Sequence, residues 1–152
     1  MNRYFGHYFR ILHSITGQAV TNALASMDLT AAQGQILGYI LHAPEPPCSR
    51  DIEEAFRLTH PTVSGLLSRL EKKGFIEFRP DEKDRRCKRI FPLEKCRQCH
   101  CLVRDTINQT ESQLLQGFSQ EEQELFHSFL QRSIHNMGMG CCNRKSKEDS
   151  NQ

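Results

Sequence analysis

The segment Thr59–Phe91 most constrains the fold, because an amphipathic helix, a glycine and a charged hairpin follow one another directly. One helix face is apolar at helical spacing, with Val63, Leu66, Leu67 and Leu70. The opposite face is small and hydroxylic at the front and basic at the back: Thr62, Ser64, Gly65, Ser68, Arg69, Lys72 and Lys73. Small polar side chains can approach base edges, and basic ones neutralise phosphates. This order predicts a recognition helix that leads into a wing.

Charge is distributed unevenly along the 152 residues, although the net charge is only +2. Nine basic and five acidic residues lie between Arg69 and Arg89, a local charge of +4. Between Arg104 and His135 the balance is two basic against five acidic, or −3. A charged run can simply solvate a surface, but this one coincides with the helix and the hairpin. The first region therefore suits a polyanion as partner.

Length and composition limit the class of protein. The chain is about one domain long, and no run approaches the roughly 18 apolar residues of a membrane span. The first residues do not form a secretory signal, so we expect a soluble, cytoplasmic protein with no membrane partner and with reduced cysteines. There is no phosphate-binding glycine loop, no supported nucleophile–base pair and no pair of carboxylates in a plausible cleft. We therefore expect no enzyme, no catalytic residue and no resident cofactor.

Apolar periodicity predicts helices on both sides of the winged segment. Residues 3–25, 93–116 and 119–137 each carry an apolar stripe that needs a partner surface. They are predicted to be dimerisation helices around a DNA-binding core at 30–92, within one domain at 1–137. Residues 138–152 lack apolar periodicity and are expected to be a disordered tail. The predicted fold class is mainly α with a small β-hairpin wing.

Capping residues predict where individual elements begin and end. The predicted helix caps are Thr30, Ser49, Thr59 and Ser119, with Gly74 as the stop of the recognition helix. The wing strands are expected at Phe75–Arg79 and Cys87–Phe91.

Four motifs in this order resemble the MarR family of winged helix-turn-helix transcriptional regulators. They are Leu29-Thr30-x-x-Gln33-x-x-Ile36-Leu37, Ser49-Arg50-Asp51-Ile52, the segment Thr62–Ile76, and Asp84-Arg85-Arg86. The last two are the most specific, and the similarity extends to about Met137. The resemblance implies a homodimer that binds pseudo-palindromic double-stranded DNA. Because most members of the family are repressors, it also implies a repressor. It also implies release by an unknown effector: a small molecule, an oxidant or a metal.

Carried over position by position, the resemblance assigns DNA contacts to the helix and the wing. Pro61, Thr62, Ser64 and Arg69 would lie at the major groove or adjacent phosphates. Arg86 would enter the minor groove, held by Asp84, because a narrow groove concentrates negative potential. The candidate phosphate contacts are Arg50, Lys72, Lys73, Arg85 and Lys88.

The chain departs from the family pattern after the second wing strand. Pro92-Leu93-Glu94-Lys95-Cys96 stands where the family usually has Leu-Thr-x-x-Gly. The hydroxyl cap of the next helix is absent, which leaves the start of that helix and the pocket beneath it open.

The segment Cys96–Cys101 could carry a separate sensing chemistry. Helical spacing places Cys96, Cys99 and His100 on one face, where a fourth ligand from elsewhere could complete a zinc site. An oxidation switch is the second hypothesis, since Cys87 and Cys101 lie among basic residues. Either chemistry would make the protein a redox- or metal-responsive regulator that uses Cys96 and Cys99. In the simplest interpretation Cys96 and Cys99 are small buried side chains. A winged-helix protein-interaction module without an operator is the remaining alternative, and the salt dependence of DNA binding would distinguish it.

Overall fold

The computed structural model describes residues 4–81 and 87–138, which contain six helices and one two-stranded antiparallel sheet. In chain order they are α1 (Phe5–Ser26), α2 (Ala31–His42), α3 (Ser49–Phe56), α4 (His60–Lys72), β1 (Ile76–Pro80), β2 (Lys88–Pro92), α5 (Glu94–Leu114) and α6 (Gln120–Asn136). The predicted fold class is confirmed. The chain divides after Glu111 into two compact units.

The core of the first unit lies beneath α4. Val63, Leu67 and Leu70 are fully buried in the same hydrophobic cluster as Ile52 of α3 and Phe75. The predicted apolar face of the recognition helix is thus its inner face, although Leu66 lies only at the margin of the cluster.

Two of the predicted caps, Thr30 and Ser119, each form a capping box. The Thr30 hydroxyl accepts the Gln33 amide at 3.3 Å, and the Gln33 side chain accepts the Thr30 N–H at 3.0 Å. Ser119 and Glu122 make the same pair of bonds at the start of α6, at 3.3 and 2.8 Å. These local bonds satisfy amide groups that a helix N-terminus leaves unpaired.

Two other predicted caps differ from the structure. Cys48, not Ser49, occupies the N-cap of α3, where the Asp51 carboxylate accepts the Cys48 N–H at 2.7 Å. Thr59 stands at the N-cap of α4 as predicted, but its hydroxyl lies 2.9 Å from the Thr62 hydroxyl and bonds to no backbone amide. At α3 the Asp51 carboxylate takes the place of the expected hydroxyl cap. At α4 the Thr59 hydroxyl bonds to another hydroxyl and so caps no amide.

The wing begins one residue later than predicted on both strands. Phe78 pairs with Ile90, and Ile76 with Pro92. Phe75 is excluded from the strand because its N–H bonds to the Leu70 carbonyl at 3.0 Å, just after Gly74 at φ +76°. This left-handed glycine confirms the predicted stop of the recognition helix. The tip residues Asp84, Arg85 and Arg86 lie outside the described residues.

The apolar stripes of α1 and α6 are exposed. On α1 the exposed side chains include Phe5, Tyr8, Phe9 and Ile15. In the second unit no residue of α6 is buried, and Leu125, Phe129 and Ile134 face solvent. Residues 139–152, most of the predicted tail, lie outside the described residues. None of the described helices is long and apolar enough to cross a membrane.

Candidate nucleic-acid interface

The outer face of α4 carries the predicted base-reading side chains. Pro61, Thr62 and Ser64 are exposed in its first turns, and Arg69 and Lys72 are exposed towards its end. Burial of the opposite apolar stripe fixes the rotation of the helix about its axis, so these side chains must face outward. The first turns are small and uncharged, and the last turns are basic.

A contact that sequence reasoning missed joins α3 to the start of α4. The His60 Nδ1 atom lies 2.6 Å from Glu53 Oε1, and the imidazole side chain remains 73% exposed. The two residues are seven positions apart and separated by the turn at Arg57, so no helical period indicates the pair. His60 therefore stands beside the predicted DNA-contacting residues with one ring nitrogen engaged.

The other described cations differ in their availability. Arg50 and Lys88 are exposed, and Arg50 bonds to Glu54 one turn later at 3.1 Å. Lys73 is less accessible, because its ammonium lies 2.9 Å from Asp28 Oδ2 in the turn between α1 and α2. The structure thus places Lys73 in an intramolecular ion pair at the C-terminal end of α4.

The base of the wing is held by Arg89. Its Nε atom lies 2.6 Å from Asp81 Oδ2, and its guanidinium also donates to the Pro46 carbonyl at 3.2 Å. Asp51 adds a longer contact at 3.9 Å. The hydrogen bond from Cys48 N–H, with Arg89 nearby, lowers the pKa of the Asp51 carboxyl. These contacts fix the direction in which the hairpin leaves the core.

A cavity of about 230 Å³ lies between α1, α2 and α5. Its walls are mostly apolar, with Val20, Leu24, Leu37 and Val103 among them. Cys96, Cys99 and His100 contribute the wall from α5, and Gly38 leaves open space on α2. The size suits part of a small organic ligand.

Two imidazoles meet beside this cavity. His42 Nε2 of α2 and His100 Nε2 of α5 are 3.0 Å apart, with the rings edge to face. Such a bond requires one nitrogen to donate and the other to accept, so at least one ring is neutral. Burial, the neighbouring His42 and Arg104 together lower the pKa of His100.

The cysteines of this wall are buried thiols. Burial raises the pKa of Cys96 to about 11 and also raises the pKa of Cys99. The Cys96 thiol donates weakly to the Leu37 carbonyl at 3.8 Å. No three His, Cys, Asp or Glu side chains within 4–81 and 87–138 are arranged to hold a metal ion. Burial and protonation therefore favour the simplest interpretation of Cys96 and Cys99.

The end of α4 is linked to the elements around the cavity. Lys73 pairs with Asp28 between α1 and α2, while Lys95 of α5 donates to the Lys73 carbonyl at 2.9 Å. The Lys95 ammonium also lies 4.6 Å above the Phe75 ring. All three cavity helices thus adjoin residues that contact the C-terminal end of the recognition helix.

A helix-turn-helix with an outward recognition face and a hairpin wing defines the class of winged-helix DNA-binding transcriptional regulators. The sequence model of the MarR family matches residues 27–86. The HTH-type transcriptional regulator YybA of Bacillus subtilis (strain 168) is 30% identical over 112 residues, covering 72% of this chain and 74% of YybA. The chain belongs to the MarR family, as the resemblance implied, and is therefore a transcriptional regulator and not an enzyme.

Solved structures agree with this assignment. The Staphylococcus aureus MepR–DNA complex is 28% identical with a TM-score of 0.77, covering 87% of this chain and 98% of MepR. A second crystal structure, of MepR as a transcription regulator of the S. aureus multidrug efflux pump MepA, is 27% identical with a TM-score of 0.78. It covers 89% of this chain and 99% of MepR. A putative MarR family regulator from Clostridium acetobutylicum, 24% identical with a TM-score of 0.75 over 88% and 98%, shares the fold.

The lowered pKa of His100 predicts an acid-sensitive fold. The unfolded chain takes up this proton more readily than the folded one, so the free energy of unfolding should fall as pH drops below the unfolded value of about 6.5. Urea unfolding at fixed protein concentration from pH 7.5 to 5.0 measures this. His100→Gln should reduce the pH dependence, whereas the exposed-histidine control His135→Gln should not. Equal pH dependence in wild type and His100→Gln would contradict the assignment.

Proposed function

We propose that the protein is a homodimeric repressor whose affinity for a pseudo-palindromic operator falls when a small-molecule effector occupies the cavity. The outward face of α4 carries the DNA-binding part of this proposal. Small hydroxylic side chains there can reach base edges, and the DNA-bound structure of MepR supports DNA as the partner.

The proposed contacts follow the sequence assignment. Pro61, Thr62, Ser64 and Arg69 would serve the major groove, and Arg86, positioned by Asp84, the minor groove. The phosphate contacts would be Arg50, Lys72, Arg85 and Lys88. Because Lys73 must break its ion pair with Asp28 before it can contact a phosphate, we expect it to contribute less to DNA affinity than Lys72.

Exposed apolar helices support the homodimer. We assign α1, α5 and α6 to dimerisation and residues 30–92 to DNA binding, within one functional domain at 1–137. Aromatic side chains such as Phe9 and Phe129 are exposed in a single copy of the chain, and covering them would be favourable by roughly 25 cal/mol per Å². Two recognition helices about 34 Å apart could then read the two halves of a pseudo-palindrome.

The contacts around Lys73 suggest how an effector could act. A ligand that spreads α1, α2 and α5 would displace Asp28 and Lys95, both of which contact the end of α4. The spacing of the two recognition helices would change to one that fits the operator less well. The loss of operator-binding free energy would equal the difference in the ligand's binding free energy between the two spacings. Coupling free energies of this kind are typically about 1–3 kcal/mol.

Operator binding should be tight, salt-sensitive and dependent on the wing. With DNA from upstream of the protein's own gene, wild-type affinity should fall ~10³–10⁵-fold between about 50 and 200 mM salt, as for six to ten phosphate contacts. Arg69→Ala and Arg86→Ala should each cost about 1–3 kcal/mol. Fluorescence anisotropy measures both. The control Arg10→Ala, an exposed arginine on α1, should bind like wild type. A folded protein without DNA binding at either salt would favour the protein-interaction module.

Phe129→Arg should produce a monomer that binds the operator on the order of 10²-fold more weakly. A buried arginine without a partner opposes association, and losing one recognition helix removes the avidity of the pair. Analytical ultracentrifugation gives the mass, and anisotropy gives the affinity. The neighbouring exposed Ser128→Arg serves as the control. A Phe129→Arg dimer with normal affinity would refute this role for α6.

Gly38→Leu should uncouple the effector from DNA. No atom outside the helix's own nearby backbone lies within 4 Å of a Cβ added at Gly38, and Gly38 lines the cavity, so a leucine there should occupy cavity space. In a screen of aromatic compounds for operator release, this variant should bind DNA normally and lose at least about tenfold in sensitivity to any active compound. Gly17→Leu, at an exposed helical glycine, is the control. Full sensitivity in Gly38→Leu would place the effector elsewhere.

A further inference from the structure

His60 is the first residue of the recognition helix and was not among the expected DNA contacts. Its Nδ1 atom is bonded to Glu53 Oε1 at 2.6 Å, while the Glu53 side chain is itself only 23% exposed. The imidazole is largely exposed beside Pro61 and Thr62. The Glu53 carboxylate thus holds the ring through Nδ1, and most of the rest of the ring is exposed to solvent.

We propose that His60 is a proton-dependent DNA contact: Glu53 orients the ring, and operator binding adds a proton to Nε2, which then donates to an acceptor on the DNA. This inference rests on the proposed function, since it assumes that the start of α4 lies against the operator. It adds to that function a residue and a dependence on pH.

The hydrogen-bond inventory of the pair leads to this conclusion. An ionised carboxylate can only accept, so the Nδ1 atom that contacts Glu53 carries the hydrogen. In the neutral ring Nε2 is then an acceptor. Phosphate oxygens and guanine N7 and O6 are acceptors too, and two acceptors cannot bond. A proton taken from solvent turns Nε2 into a donor, so the contact to these groups exists only in the imidazolium form.

The surrounding charges favour the same arrangement. Glu53 would place a negative charge close to the DNA backbone, and the imidazolium neutralises it. The other α3 carboxylates have partners, since Asp51 accepts from Cys48 and Glu54 pairs with Arg50. Arg57 is the remaining charged residue in the turn before α4. Residues 61–68 are uncharged, so the next charge on α4 is Arg69, about 13 Å along the axis.

The test compares operator affinity near pH 6 and pH 8 at constant ionic strength, with labelled duplex from upstream of the gene. Histidine is the side-chain type whose charge most often changes between these pH values. Wild type should bind about tenfold or more tightly at pH 6, since one linked proton can contribute up to tenfold per pH unit. His60→Gln should lose most of this difference and match wild type near pH 8.

Matched variants separate the contact from other titrating groups. Glu53→Gln keeps an acceptor for Nδ1 but removes the charge, so the rise in affinity should move to lower pH. Glu54→Gln, one residue away, and His135→Gln, an exposed histidine on α6, should respond to pH like wild type. Circular dichroism confirms that each variant is folded.

Two altered duplexes identify the DNA group that accepts the hydrogen bond from His60. A guanine contact predicts that 7-deazaguanine at one position, which lacks the N7 acceptor, weakens the pH response. A phosphate contact predicts that a shuffled duplex of equal length, although bound more weakly, retains it.

The outcomes are distinct from those of the proposed function. Tight wild-type binding that is independent of pH, or a wild-type pH response in His60→Gln, would overturn the role of His60 and leave the regulator intact. Absence of wild-type binding at both pH values would overturn the proposed function and this inference together.

Discussion

Burial of the apolar face of α4 is the interaction on which the rest of the structure depends. Val63, Leu67 and Leu70 are fully buried, and each such side chain is worth about 1.5–3 kcal/mol when removed from water. They recur at four and three residues, so burying all three permits only one rotation of the helix. The outward position of Thr62 and Ser64 therefore follows from packing on the opposite side. The direction of the proposed DNA-reading face is a consequence of the core.

The C-terminal end of the same helix connects that face to the cavity. The Lys73 ammonium pairs with the Asp28 carboxylate, and the Lys73 carbonyl accepts a hydrogen bond from the Lys95 ammonium. In the proposed effector response, a displacement of the cavity walls reaches α4 through these contacts, because close-packed cores shift between discrete arrangements and do not deform continuously. An ordinary surface ion pair contributes little stability. This one joins the turn between α1 and α2 to the C-terminal end of α4.

Two histidines and two cysteines of the described residues differ in how their side chains are placed. Burial raises the pKa of both Cys96 and Cys99, and the two thiols pack as small apolar side chains. His60 and His100 each bond a partner on another helix through one ring nitrogen, and those bonds depend on which nitrogens carry protons. One lies at the start of the recognition helix and the other beside the cavity.

The sequence by itself determined the helices, the capping boxes at Thr30 and Ser119, and the helix stop at Gly74, because periodicity, caps and left-handed glycines act over three to five residues. It also carried enough of the family's motifs to identify the DNA-binding class. Only the tertiary structure decided that Lys73 pairs with Asp28 and that His42 meets His100. Those contacts join residues far apart in the chain, and no local pattern contains the geometry that brings them together.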